Sequence, residues 1–119
     1  RGLLRLSQYF QILVFVTLVF GVLPGYADSS KRGLEVYSTT CVVCHGPDGK
    51  GAIPGIPDFT KKGGALEKSD EVLLDHMING FQSDGSPMAM PAKGGNPNFT
   101  EGDMQEVLKY IRATFEKGK

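Results

Sequence analysis

The sequence contains few residues that bind metals or form covalent cross-links. Its 119 residues include two cysteines, Cys41 and Cys44, and two histidines, His45 and His76. A structural zinc site needs four nitrogen or sulfur ligands at regular spacing, and only His76 remains outside the first cluster. A disulfide between the two cysteines would suit an exported chain, but it would connect no distant segments. These scarcities argue against both a zinc fold and a disulfide framework.

The chain also lacks an excess of charge of either sign. Lysine and arginine together number 13, and aspartate and glutamate also number 13. Nucleic-acid-binding domains usually present a basic stripe, so the composition argues against a nucleic-acid partner. No nucleophile with a neighbouring base and no pair of acids stands out to indicate a substrate reaction.

Strand patterns and internal repeats are absent as well. No run alternates apolar and polar residues over enough positions to predict a strand, whereas three segments have helical spacing. They cover about 30–40, 69–80 and 100–115. Two loops of about 18 to 20 residues separate them, a length that usually means function or disorder in a compact domain. The predicted fold class is all-α with long loops.

The second and third helices carry clear end signals. Ser69 is a natural N-cap and Gly80 a C-terminal stop, while Thr100 and Asp103 form a pair that resembles a capping box. The third helix should then bury one apolar face. That face contains Met104, Val107, Leu108, Ile111 and Phe115.

One long apolar run lies before the first helix. It extends over 14 residues from Phe10 to Leu23, and the residues before it include Arg1 and Arg5 but no acid. With small residues up to Ala27, this layout predicts a secretory signal peptide over residues 1–27 and a domain over 28–119. The alternative is a retained membrane anchor, although a spanning helix usually needs about 20 apolar residues. The predicted location is the periplasm, free or anchored facing it.

The stretch CVVCH, residues 41–45, decides the chemistry. A thioredoxin-like dithiol requires an α/β unit around C-x-x-C, which is not predicted here, whereas C-x-x-C-H is also the attachment motif of c-type haem. Cys41 and Cys44 can each form a thioether to a vinyl group of one haem, and His45 then lies below the iron. Covalent attachment suits an exported protein, which cannot easily recapture a lost cofactor. We therefore predict one covalent haem c.

The segments around this motif resemble the class I, single-haem c-type cytochromes, including small periplasmic cytochromes c and cbb3-type cytochrome c domains. The matching pieces follow one another as GLEVYSTTCVVCHGPDGKG, IPDF, MINGFQSDGSPMAMPAKGG and MQEVLKYIRATF. The resemblance implies a cytochrome c-like fold, with three or more helices and long loops around one haem and with the first and last helices crossing. It also implies that Gly33 permits the crossing and that Tyr37 meets Val107 and Tyr110.

The second axial ligand of the iron is predicted to be Met90. Met88 and Met90 lie in a loop, where no helix face needs filling. Pro91 favours an extended backbone at the residue before it, and the resembling family places its ligand directly before a proline. Met88 is then a packing residue or a replacement ligand, and Met77 and Met104 are predicted to pack in the core.

Two further questions concern the histidines. His76 as the sixth ligand would give bis-histidine ligation, but its place on the second helix favours an edge or surface position. A ligating imidazole usually donates its other N–H to a carbonyl or carboxylate. The resemblance assigns that role to a proline carbonyl, which is Pro57, with Pro54 as the alternative.

An electron carrier is the predicted function, because two filled axial positions leave only an electron to move. Its partners would be redox proteins such as a dehydrogenase, a reductase or an oxidase. One alternative is a haem c subunit of a dehydrogenase or oxidase complex. Another is a ligand-binding or peroxidase-type haem enzyme, which needs an open sixth position. The two loops expected to border the haem contain four lysines, Lys50, Lys61, Lys62 and Lys93. Two interpretations are open for them: guidance of an acidic partner, or ordinary solvation of the surface.

Overall fold

A computed structural model describes residues 26–117, so nearly all of the predicted signal peptide lies outside the described residues. Four α-helices, one π-helical turn and two 3₁₀ turns account for the regular structure of this part. The helices are α1 (Tyr26–Val36), α2 (Val42–His45), α3 (Asp70–Asn79) and α4 (Glu101–Phe115). The π-helical turn is Tyr37–Cys41, and the 3₁₀ turns are Ala65–Glu67 and Ala92–Gly95. None of the helices described is both long and apolar enough to cross a membrane.

The only β-type pairing within residues 26–117 is a single bridge between Phe81 and Met90. The predicted all-α class is therefore confirmed. The buried core lies between α1, α4 and the turn before α3. Its members are Val36, Tyr37, Leu66, Phe99, Met104, Val107, Ile111 and Phe115.

The first helix extends further than predicted. α1 continues through the π-helical turn directly into α2, and helical backbone ends only at Gly46, which has φ 78°. The predicted end near residue 40 was wrong because residues 39–43 include four β-branched side chains, which lower helix propensity. Packing outweighs that preference here. Single π-helical turns inside helices frequently occur at functional sites.

α1 crosses α4 at very close range. A Cβ atom on Gly33 would lie 2.5 Å from the Glu106 carbonyl oxygen and 2.6 Å from Tyr110 Cβ, so only glycine fits at this crossing. The Tyr37 ring lies 5.4 Å from that of Tyr110 and 5.4 Å from that of Phe115. The predicted crossing and the contact between the two tyrosines are confirmed.

Both predicted helix caps are formed. The Ser69 hydroxyl accepts a hydrogen bond from the Val72 N–H at 3.4 Å, and Gly80 ends α3 with φ 83°. Thr100 Oγ1 accepts from the Asp103 N–H at 3.1 Å, while Asp103 Oδ2 accepts from the Thr100 N–H at 2.8 Å. The five residues predicted for the apolar face of α4 are all buried.

Arg112 joins α4 to the segment that leads into α3. Its guanidinium donates to the Leu66 carbonyl at 2.9 Å, to the Lys68 carbonyl at 2.8 Å and to Asp70 Oδ1 at 2.6 Å. Burial opposes the charge of Arg112, but its carboxylate partners raise its pKa overall. This one side chain therefore satisfies carbonyls that no helix pairs, and it fixes residues 66–70 against α4.

The crossing predicts opposite effects for two helical glycines. Gly33→Ala should lower the free energy of unfolding by about 1–3 kcal/mol, because its methyl group overlaps α4. Gly102→Ala is the matched control, since its nearest neighbour would be Thr100 Oγ1 at 3.5 Å. This change should raise stability by up to about 1 kcal/mol, because alanine is the better helix former. Denaturant unfolding of the two variants measures the sign of each change in unfolding free energy. Equal changes would contradict close packing of Gly33 against α4.

The Arg32–Asp103 ion pair predicts a pH-dependent contribution to stability. The Arg32 guanidinium, 2.8 Å away, and the Thr100 N–H hold the pKa of Asp103 down to about 2, against an ordinary value of 3.8. Asp103→Asn should cost about 0.2–1 kcal/mol near neutral pH, because it weakens an ion pair whose arginine is largely solvated. Because the folded-state pKa is lowered, this advantage is present above pH 4 and disappears as the pH falls towards 2. The unfolding free energies of the wild type and Asp103→Asn should converge across this range, and a difference that stays constant with pH would contradict the predicted contribution of the ion pair. Glu101→Gln, an exposed change in the same turn, should differ less from the wild type.

Candidate haem site

A cavity of about 360 Å³ lies between α2, α3, α4 and the two long loops. Its volume is typical of sites that bind small molecules or cofactors. The walls are mainly apolar and include Ile56, Phe59, Leu66, Leu73, Met77, Leu108 and Ile111. The fold therefore leaves a preformed, mainly apolar space directly beside the CVVCH segment.

The helical backbone of this segment brings the three predicted attachment residues to the cavity. Cys41 is the last residue of the π-helical turn, and Cys44 and His45 belong to α2. Residues three and four apart share one face of a helix, and all three side chains line the cavity. The two cysteines are half-buried, and no disulfide joins them. Both thiols and the imidazole are thus available to one ligand.

The loop after α2 holds the end of this segment in place. The Gly51 N–H donates to the His45 carbonyl at 2.9 Å, and the Ala52 N–H donates to the Cys44 carbonyl at 2.8 Å. Carbonyls at the end of a helix otherwise need water or another partner. The loop therefore serves as the C-terminal cap of α2.

Burial favours the uncharged forms of Cys41 and His45. Burial raises the pKa of the Cys41 thiol and lowers the pKa of His45. The imidazole is therefore uncharged near neutral pH, the form that binds metal ions. Its ring stacks on Phe59 with centroids 4.5 Å apart, and its buried Nδ1 has no hydrogen-bond partner among the described residues. The predicted acceptor, Pro57, lines the cavity, but the hydrogen bond to its carbonyl is not formed.

Met90 reaches the same cavity from the second long loop. Its N–H donates to the Phe81 carbonyl at 2.7 Å, and its carbonyl accepts from the Phe81 N–H at 3.0 Å. Met88 also lines the cavity but is 42% exposed, and its carbonyl accepts one hydrogen bond from the Ser86 hydroxyl. The main chain of Met90 is therefore held at both of its polar groups.

Gly80 gives the Met90 segment room to approach α3. With φ at +83°, its backbone is left-handed, and a Cβ there would lie 3.1 Å from the Met90 carbonyl oxygen and 3.2 Å from the Ala92 nitrogen. The same residue that ends α3 thus permits the close contact between Phe81 and Met90.

His76, which was predicted at an edge or on the surface, lies beside the cavity. It is half-buried, lines the cavity, and stacks on the Phe81 ring with centroids 3.7 Å apart and planes at 9°. Phe81 was not among the residues predicted for the site, although its place directly after Gly80 is informative. An apolar residue after a helix-ending glycine often packs on the last turn of that helix.

The predicted lysines do not surround the cavity. None of Lys50, Lys61, Lys62 and Lys93 contributes to its lining, whereas Lys68 does. Lys68 lies between the 3₁₀ turn Ala65–Glu67 and α3, where Arg112 binds its carbonyl. Guidance of an acidic partner by these four lysines stays a prediction.

The donor set suits a covalently attached haem. Two thiols could take the vinyl groups, the neutral imidazole has a buried nitrogen without a partner, and two thioethers, Met88 and Met90, line the same space. Met77 lines it as well. Met104 also lines the cavity and is only 2% exposed, as its predicted packing role requires.

Comparison with known proteins agrees with this geometry. Residues 30–115 match the cytochrome c family. Cytochrome c-555 of Chlorobaculum thiosulfatiphilum is 30% identical over 82 residues, which are 69% of this chain and 92% of that protein. Cytochrome c-555 of Prosthecochloris aestuarii is also 30% identical over 82 residues, covering 67% and 82% of the two chains. The gluconate 2-dehydrogenase cytochrome c subunit of Pantoea cypripedii is 27% identical over 97 residues, or 76% of this chain and 22% of that subunit.

The family match extends from α1 to the end of α4 and so includes every wall of the cavity. It confirms the predicted resemblance, the covalently bound haem c with its iron, and electron transfer as the general function. The chain belongs to the cytochrome c family.

Proposed function

We propose that the protein is a periplasmic electron carrier whose single haem c is bound through Cys41 and Cys44, with His45 and Met90 as the axial ligands of the iron. One observation carries the proposal. The helical segment 41–45 and the doubly hydrogen-bonded Met90 belong to different elements, yet both line one apolar cavity.

The side chains around this cavity favour transfer of an electron over transformation of a substrate. When bound, the haem supplies a one-electron redox centre. As a ligand, the Met90 thioether would raise the reduction potential relative to a second histidine. Phe59 and Leu66 in the wall exclude water, and Pro57 is proposed as a further wall contact of the haem. Lys68 is the one lysine of the lining, so an acidic partner would meet it at this site.

Export to the periplasm is part of the same proposal. Its support is the leader-like composition of residues 1–27 together with a cofactor that is attached covalently. A retained leader would instead anchor the carrier on the periplasmic face of the membrane. The partners are then exported or membrane-bound redox proteins, such as a dehydrogenase, a reductase or an oxidase.

A second candidate function is that of a haem c subunit in a dehydrogenase or oxidase complex. The similarity to a gluconate 2-dehydrogenase cytochrome c subunit favours it, although this chain covers only 22% of that protein. The two functions differ in how long the partner stays bound. Carriers dock briefly through interfaces below about 1,200 Å², so a partner that co-purifies through gel filtration would support the subunit role.

Covalent attachment gives the first test of the site residues. After acid–acetone treatment of the purified protein, the haem should remain on the chain, because two thioether bonds hold it. Cys41→Ala and Cys44→Ala should each lose most of the bound haem or leave it extractable. Thr39→Ala, an exposed change two residues before Cys41, is the control and should keep it. Complete extraction of haem from the wild type would overturn the proposed attachment.

The choice between the two loop methionines gives the second test. Met90→Ala should abolish the far-red absorption band of a sulfur–iron bond and lower the reduction potential, since the sixth position opens or takes Met88, water or a lysine. Met88→Ala should change little, because the exposed Met88 is not held by the bridge to Phe81. Absorption spectra and potentiometric titration measure both effects.

Two other results would identify a different ligand. Loss of the band in Met88→Ala, with retention in Met90→Ala, would show that Met88 is the ligand. If neither change alters the spectrum and His76→Ala does, the iron has two histidine ligands.

A further inference from the structure

Phe81 connects α3 to the segment that contains Met90. Its ring lies parallel to that of His76, with centroids 3.7 Å apart and planes at 9°. Its main chain exchanges two hydrogen bonds with Met90, at 2.7 and 3.0 Å. We propose that the stacked rings of His76 and Phe81 position Met90 and so limit its release from the haem iron. This inference rests on the proposed function, in which Met90 is an axial ligand.

The intervening loop cannot hold Met90 by its own packing. Of the residues 82–89, all are exposed except Ser86, which is half-buried. A loop with so few buried contacts opens at low free-energy cost. Within residues 82–90, the bridge between Phe81 and Met90 therefore ties the end of this loop to its start, so a displacement of Phe81 would shift Met90 as well.

Phe81 is held in turn by α3. This helix is anchored because Leu73, Leu74, Met77 and Ile78 pack against the buried core. Phe81 itself is 40% exposed, so its position depends strongly on the ring beneath it. Contacts thus link the core to Met90 in three steps: α3 packs on the core, His76 of α3 stacks on Phe81, and Phe81 forms main-chain hydrogen bonds with Met90.

The stacking geometry favours a positioning role for His76 over a role as iron ligand. Phe81 covers one face of the imidazole and sets its plane. A phenyl ring at position 76 could replace the imidazole in such a stack, but it could not bind iron. His76→Phe therefore separates the two roles.

Imidazole provides a direct probe, because it binds ferric haem only when the methionine sulfur has left. The haem-loaded wild type, His76→Ala, Phe81→Ala and His76→Phe are titrated with imidazole while the far-red sulfur–iron band is followed. Loss of one aromatic pair corresponds to about a two- to tenfold change in the equilibrium between bound and released Met90 sulfur. His76→Ala and Phe81→Ala should bind imidazole about two- to tenfold more tightly, and His76→Phe should stay near the wild type. Glu71→Ala, exposed on the same helix, is the matched control and should not differ.

Circular dichroism of each variant under the same conditions shows whether the helices remain intact. Increased imidazole affinity in fully helical protein supports positioning, since a general loss of stability would reduce helix content as well. Wild-type affinity in both His76→Ala and Phe81→Ala would overturn the inference, and His76→Ala alone decides it if Phe81→Ala does not fold. Loss of the low-spin spectrum in His76→Phe would overturn it too. Met90→Ala reports separately on the proposed function, which fails if that variant keeps the far-red band.

Discussion

The close crossing of α1 and α4 at Gly33 is the contact on which the rest of the structure depends. Because helical backbone continues from α1 to residue 45, fixing α1 against α4 also fixes the direction in which residues 41–45 face. Tyr37 strengthens this coupling, since its ring packs against Tyr110 and its hydroxyl donates to the Gly46 carbonyl at 2.5 Å. α4 then supplies Leu108 to the cavity wall. One helix pair therefore builds both the core and the attachment side of the site.

The two sides of the cavity differ in how firmly they are held. On the attachment side, residues 41–45 belong to a continuous helical path that is capped by the following loop. On the other side, Met90 belongs to an exposed loop and is fixed through Phe81. A rigid side that retains the cofactor and a less rigid side that supplies the second ligand would suit a carrier. The covalent bonds keep the haem, and under the proposed ligation small changes in the loop would alter how tightly the Met90 sulfur binds.

Local signals made much of this fold predictable. Ser69 and Thr100 cap their helices through hydrogen bonds to residues within one turn, and so such caps can be recognised from short stretches of sequence. The continuation of the first helix was missed because the β-branched residues in 39–43 disfavour helix locally, while the crossing with α4 stabilises it from a distance. The surroundings of His76 depend on a contact with Phe81, which lies beyond the end of its helix. The thiol, imidazole and thioether side chains that line the cavity were recognisable from the sequence, whereas the packing that positions them was not.

The central claim is that Met90 supplies the sulfur opposite the attachment side of one covalent haem. NMR spectroscopy of the reduced, haem-loaded protein with ¹³C-labelled methionine methyl groups tests it most directly. A methyl group held above the macrocycle is shifted strongly upfield by its ring current, and the chain contains four methionines that can be told apart by their neighbours. We expect one such upfield methyl group with contacts to Pro91, which assign it to Met90. A spectrum with no upfield methionine methyl group, or one assigned to Met88, would contradict it.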